Sequence, residues 1–193
     1  MKIEIRKDEN MFKKKRTIFI CILALVLTGL WTFRYVKLNQ RYPQPNCESY
    51  SVSQPVLLDN FEILVSDSYF LDSEAAKEAL IVESEAGLNA KCIVLDFSVT
   101  NISDSPQNIE VGAFQLQSGA WHNGVSFIAY RDMNSDVNEG SLNLQIEPGE
   151  TCQVKLPFSM IDFHFFPDDW DYVEDRQYEL VLSFYSIKRV LCL

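Results

Sequence analysis

The sequence predicts an all-β, two-sheet sandwich with one short helix, preceded by a single N-terminal transmembrane helix. Three observations lead there. The run from Thr17 to Phe33 carries no charge and follows directly on Lys13, Lys14, Lys15 and Arg16. Beyond residue 55, about seven short runs rich in Val, Ile, Phe and Tyr are separated by turn residues, as in a sandwich. Between the two lies a polar stretch with Pro43, Pro45 and Pro55 and no periodicity.

The apolar run comes first. At 1.5 Å per residue its 17 positions reach about 26 Å, near the lower limit for a hydrocarbon core of roughly 30 Å. Arg34, Tyr35, Val36 and Lys37 extend it into the interface, with Trp31 and Tyr35 at headgroup level. A cleaved leader is the rival reading, but cleavage needs small residues, and Leu30, Trp31, Phe33 and Arg34 are bulky. Cys21 stands mid-run rather than after a small-residue tail, which disfavours a lipoprotein. Of the 17 Lys/Arg, ten fall in residues 1–41, against three of the 27 Asp/Glu, so this part carries +7 and the remainder −17. Seven of those bases precede the run and only Arg34, Lys37 and Arg41 follow it closely. The positive-inside rule then keeps the N-terminus in the cytoplasm and exports the rest. The expected organisation is a cytoplasmic basic tail (1–16), a signal anchor in the lipid bilayer (17–36), an extended tether (37–55) and an exported sandwich domain (56–193). A domain of that negative charge repels phosphate backbones, which excludes nucleic acid as its partner.

Within the domain, VLLDNFEILVSDSY opens a first strand region, with Phe61, Ile63 and Val65 on one phase. Asp72 or Ser73 is a ready N-cap for the one expected helix, Ser73–Val82, where Ala75, Ala76, Ala79 and Leu80 recur at helical spacing. In Lys91–Thr100, Ile93, Leu95, Phe97 and Val99 form a core face opposite Cys92, Val94, Asp96 and Ser98. Asn101–Gln107 is a turn cluster, either a hairpin or a crossing between sheets. Asn108–Gln117 alternates less cleanly: Ile109, Val111 and Ala113 fall on one phase, Phe114 and Leu116 on the other. Leu142, Leu144 and Ile146 lead into the turn Glu147-Pro148-Gly149-Glu150. Val154, Leu156 and Phe158 then point inward, as do Tyr178, Leu180, Leu182 and Phe184, and Val190–Leu193 supplies a last strand.

The succession LDFSVTNISDSPQNIEV, FQLQ and EPGET before VKLPFSM resembles a known family: the immunoglobulin-like, telokin-like extracellular domain of unknown function on anchored proteins and lipoproteins of Gram-positive bacteria. Val99, Asn101, Ser103 and Asp104 match its V-x-N-x-S/T-D/N pattern, and Pro148, Gly149 and Glu150 its P-G-E turn, with coverage of about residues 56–193. The resemblance implies an immunoglobulin-like sandwich on the cell envelope and hands over no catalytic residue. A signal anchor stands where many relatives carry a lipobox cysteine.

Candidate chemistry is sparse. Cys47, Cys92, Cys152 and Cys192 lie in the exported part, where disulfides are permitted. Cys92 with Cys152 would fit if those strand starts are neighbours, and buried free thiols are the alternative. Asp132, Asn134, Asp136 and Asn138 alternate like the oxygen ligands of a calcium loop, although Val137 and Asn143 occupy the positions that need Gly and Glu. Calcium is the one cofactor the sequence suggests, in a structural or sensor role. Asp168, Asp169, Asp171, Glu174 and Asp175 surround Trp170 and Tyr172, but carboxyls crowded in one loop do not make a cleft for glycoside hydrolysis. Trp121, Trp170 and Tyr172, with Phe163, Phe165 and Phe166, offer a surface for a cell-envelope protein, peptide or glycan, or else pack into the core. His122 and His164 are the only histidines, and no Gly-x-Ser-x-Gly or phosphate-binding loop occurs. The expectation is a membrane-anchored, non-catalytic interaction module.

Overall fold

The computed structural model describes residues 2–43, 45–71, 74, 76 and 89–193, with backbone alone at 2–14 and 138. It divides into two units, residues 1–44 and 45–193. The first is one helix, α1 (Lys2–Arg41), of which Lys15–Arg41 is long and apolar enough to cross a membrane and has only exposed residues. Thr28 and Thr32 each donate a 2.9 Å hydrogen bond to the carbonyl four residues back, which satisfies both hydroxyls within the helix, as a membrane-crossing helix would require. The helix outruns the expected boundary at residue 36 because nothing breaks it before Pro43.

The second unit is a β-sandwich with eleven strands among the described residues: β1 (Asn46–Ser51), β2 (Val56–Leu58), β3 (Phe61–Phe70), β4 (Ala90–Asn101), β5 (Gln107–Glu110), β6 (Gln115–Ser118), β7 (Trp121–Gly124), β8 (Asn143–Ile146), β9 (Thr151–Ile161), β10 (Glu179–Ser183) and β11 (Ile187–Cys192). One sheet runs β1-β11-β10-β6-β7, the other β2-β3-β4-β9, and β5 with β8 forms a separate ribbon. Two short helices, α2 (Phe127–Met133) and α3 (Pro167–Trp170), lie in the connections. The helix expected at Ser73–Val82 lies outside the described residues except at Glu74 and Ala76, which are helical. Ala76 is fully buried against Cys92 and Val94 on the outer face of β4, while Ile93, Leu95, Phe97 and Val99 face the main core.

Three departures from the expected strands have simple causes. The stretch read as a tether contains β1, whose polar sequence NCESYS half-buries only Glu48 and Tyr50. It pairs in parallel with β11, and Glu48 is held by Arg189 at 3.0 Å and by the Tyr50 hydroxyl at 3.0 Å. The first strand region is a hairpin, because Asp59 takes φ 52° and turns the chain at Asp59-Asn60. The phase slip in Asn108–Gln117 is a 3-10 turn at Val111–Ala113, where Gly112 N–H donates to the Glu110 carboxylate, so β5 and β6 join different sheets.

The two turn motifs close on one buried residue. Asn101, at the end of β4, is wholly inaccessible. Its side-chain NH2 donates to the Ser105 and Ile146 carbonyls, both at 2.9 Å, and its Oδ1 accepts from Ser103 N–H at 3.0 Å and Ser103 Oγ at 2.8 Å. Its backbone N–H donates to Glu150 O and its carbonyl accepts from Gly149 N–H. Gly149 has φ 75°, and Glu150 N–H closes the turn on Glu147 O, as a type II Pro-Gly turn requires. Both connections are sheet crossings, β4 to β5 and β8 to β9, and Asn101 ties them together. The family-like patterns are therefore structural.

Candidate functional site

The five-stranded sheet has two distinct ends. At one, β1 begins: Asn46 lies opposite Ile187, beside the β10–β11 turn. At the other, Glu179 at the start of β10 lies opposite both Cys192 and Gln117, next to the β6–β7 turn. The long β9–β10 connection, residues 162–178, gathers at this second end and forms with β7 a cleft of about 320 Å³, lined by Trp121, Phe163, His164, Phe165, Phe166, Asp169 and Arg176 among others.

A ladder of rings builds the cleft outward from the core. Buried Tyr178 meets Phe70 edge-on at 6.0 Å and Trp121 edge-on at 6.1 Å; Trp121 packs on Phe165 at 5.8 Å, and Phe165 on Trp170 at 5.6 Å. The Tyr178 hydroxyl donates to the Val173 carbonyl at 2.6 Å, the tyrosine-corner arrangement of immunoglobulin-like sandwiches. Two cations hold the loop down. Arg176 lies over the Phe165 ring at 5.2 Å and pairs with Asp169 at 3.2 Å. Lys91 lies over the Trp170 ring at 5.1 Å and pairs with Glu174 at 3.1 Å. Partly exposed pairs such as these contribute little singly, but cation–π contact and ion pair here act on the same groups. Left outside the ladder are Phe163, 85% exposed, Phe166, 78%, and Tyr172, 67%. Single exposed apolar side chains are ordinary. Phe163 and Phe166 instead share a concave wall with a guanidinium and a carboxylate.

Trp121 thus serves as a half-buried wall of the cleft, Trp170 is half-buried against Phe165, and Tyr172 is exposed. Arg176 and Lys91 were not anticipated. Arg176 was legible as the single base closing the acidic run Asp168–Asp175, whereas Lys91 reaches the loop only through β-pairing.

Over residues 35–189 the sequence matches the family described as Domain of unknown function (DUF5028). The chain belongs to this family. A comparison with curated proteins gave no match. Among solved structures, the DUF5028 chain is similar to an uncharacterized β-sandwich protein from Clostridium difficile, with 11% identity, 78% of this chain and 96% of that chain covered, and a TM-score of 0.45. A conserved hypothetical protein from Bacillus anthracis gives 12%, 73%, 94% and 0.45. A functionally unknown protein from Listeria monocytogenes gives 16%, 75%, 82% and 0.48.

Elsewhere in the DUF5028 domain, the calcium-loop positions diverge. Asp132 is exposed on α2 beside Arg131, and Asp136 lines a second, mixed-polarity groove of about 470 Å³ with Asp96 and Lys155. Asn134 is turned inward and is only 2% exposed: its NH2 donates to the Tyr130 and Lys155 carbonyls, and its Oδ1 accepts from Lys155 N–H at 2.8 Å. That amide is spent on pinning α2 to β9 and has no oxygen facing a cation outside. The backbone of Asn138 sits in a 3-10 turn. Among the described residues no three His, Cys, Asp or Glu side chains converge as a metal site.

The five cysteines are free. Pairing of Cys92 with Cys152 is ruled out by register: Cys92 lies opposite Ser159 and Cys152 opposite Val99, which sets them at opposite ends of the β4–β9 pair, some 24 Å apart at strand rise.

Burial pushes the Cys92 thiol up to about 12. It likewise raises the Tyr130 hydroxyl to about 12, with Cys152 and Glu110 adding to the effect. Tyr178 also reaches about 12 by burial, with Arg176 opposing and Glu174 adding. An unfolded chain ionises these groups near pH 8.5 for Cys and 10 for Tyr. The folded form holds more protons above those values, so stability is full below about pH 8.5 and falls progressively up to about pH 12. Denaturant midpoints should therefore be flat from about pH 7 to 8 and drop steeply by about pH 11, and Cys92→Ala should flatten the earliest part of that drop; an unchanged midpoint at about pH 11 would contradict the burial of these groups.

Proposed function

We infer that the chain is a membrane-anchored, non-catalytic interaction module: α1 crosses the bilayer with its basic end in the cytosol, and the sandwich stands outside and presents the aromatic cleft to an envelope protein, peptide or glycan. One observation carries this reading. The cleft, with its two exposed phenylalanines beside the Asp169–Arg176 ion pair, lies at the end of the five-stranded sheet opposite the point where the chain arrives from α1. Flat apolar faces flanked by a few fixed polar groups suit recognition by contact. The charge asymmetry supports the orientation, because the bases cluster before the apolar run.

Two measurements test it. A phosphatase fused after Leu193, active only when exported, should be active. A photo-crosslinking residue at Phe166 should give discrete adducts in intact cells, and one at exposed Ile102 should not. A cytosolic reporter overturns the placement; equal labelling from 166 and 102, or none, overturns the cleft.

A further inference from the structure

We propose that the β10–β11 turn is a second, lipid-facing contact, in which Phe184 and Tyr185 enter the interfacial layer of the membrane. The proposal rests on the anchored reading above. Leu182, buried, is the last core residue of β10; the two aromatics that follow turn out of the sandwich, Phe184 50% and Tyr185 83% exposed. The turn is braced, since Ser183 Oγ donates to the Ile187 carbonyl at 2.7 Å. An inward Phe184 was expected from the alternation, and its exposure has no counterpart in core packing.

The occupant follows from chain length and register. Parallel pairing places Asn46 directly opposite Ile187, about 4.8 Å away across the ladder. From Arg41, the last residue of α1, to Asn46 is five peptide steps, which span at most about 17 Å. Whatever the orientation of the two units, covalent connection keeps the start of β1, and with it the β10–β11 turn, near the bilayer surface. Tyr185, with an apolar ring and a polar hydroxyl, favours that layer, and the half-exposed Phe184 adds an apolar ring beside it.

Charge selects the same end. Arg34, Lys37 and Arg41 lie along the approach and Glu48 on β1 is paired with Arg189, while Asp168, Asp169, Asp171, Glu174 and Asp175 lie in the loop at the opposite end of the sheet. An anionic surface attracts the first group and repels the second. Seating this turn would leave the aromatic cleft pointing outward.

The full chain, reconstituted in vesicles of phosphatidylcholine and phosphatidylglycerol, tests the proposal with an environment-sensitive fluorescent amino acid at Tyr185 or, separately, at Phe166. Spin-labelled lipids bearing the quencher near the headgroup should quench the probe at 185 at least about twofold more than that at 166, the depth expected of an interfacial aromatic. Phe184→Ser should reduce the quenching at 185 while leaving the melting temperature unchanged, because the side chain is already outside the core. Equal, weak quenching at both positions overturns the proposal. A blue shift at 185 without lipid quenching, growing with protein-to-lipid ratio, assigns the turn to a second copy and also overturns it. Loss of the chain from vesicles on alkaline carbonate washing means that the anchor itself has failed; retention with an unquenched probe means that only the turn has.

Discussion

Asn101→Ala is expected to lower the stability of the sandwich by roughly 2–4 kcal/mol, since a fully buried amide with four side-chain hydrogen bonds leaves several partners unsatisfied when it goes. Against a typical total of about 5–15 kcal/mol that is a large fraction. The loss should appear as a lower denaturant midpoint with an unchanged slope. Asn101→Asp should cost at least as much: it keeps the acceptor for Ser103 but sets a charge against the Ser105 and Ile146 carbonyls. A change below about 0.5 kcal/mol for either variant would mean that the crossings are held elsewhere.

Tyr178→Ala is expected to cost about 3–5 kcal/mol, as for other buried aromatic truncations. Tyr178→Phe, which keeps the ring and removes the hydroxyl with its bond to Val173 O and its weaker contact with Met160 Sδ, should cost about 1–2 kcal/mol. The two variants separate the ring from its hydroxyl. The ring is the inner rung of the ladder under Trp121, so the alanine variant should also red-shift tryptophan emission as the cleft wall loosens, and the phenylalanine variant should not. Identical losses from both would place the whole effect in the hydroxyl and refute the ladder.

How much of this was legible in sequence depended on how local the cause was. The apolar run, the alternation in β4 and β9, and the Pro-Gly turn each state their structure within ten or twenty residues, and these elements appear as expected; in β10 Leu180 and Leu182 are buried as read, but Val181 is buried too and Phe184 is exposed. β1 did not announce itself, because an edge strand half-buries only alternate side chains and its partner is the far end of the chain. The Asp59-Asn60 hairpin was marked only by two adjacent polar residues inside the apolar stretch VLLDNFEILV. Asn134 shows the reverse error: its spacing with Asp132 and Asp136 was regular, yet a helix end and an adjacent strand, both non-local, decided which way it faced. For the cleft, the aromatic residues were evident and their division was not. Which rings became walls and which stayed outside was settled by Lys91 on a distant strand and by Arg176.

The parallel union of the first and last strands bears on how the molecule carries load. Tension drawn between residue 45 and the far end of the five-stranded sheet pulls β1 and β11 lengthwise past each other. All six paired positions, Asn46–Ile187 to Ser51–Cys192, then share the strain at once instead of parting one by one. Such a joint resists a steady tug well and opens abruptly.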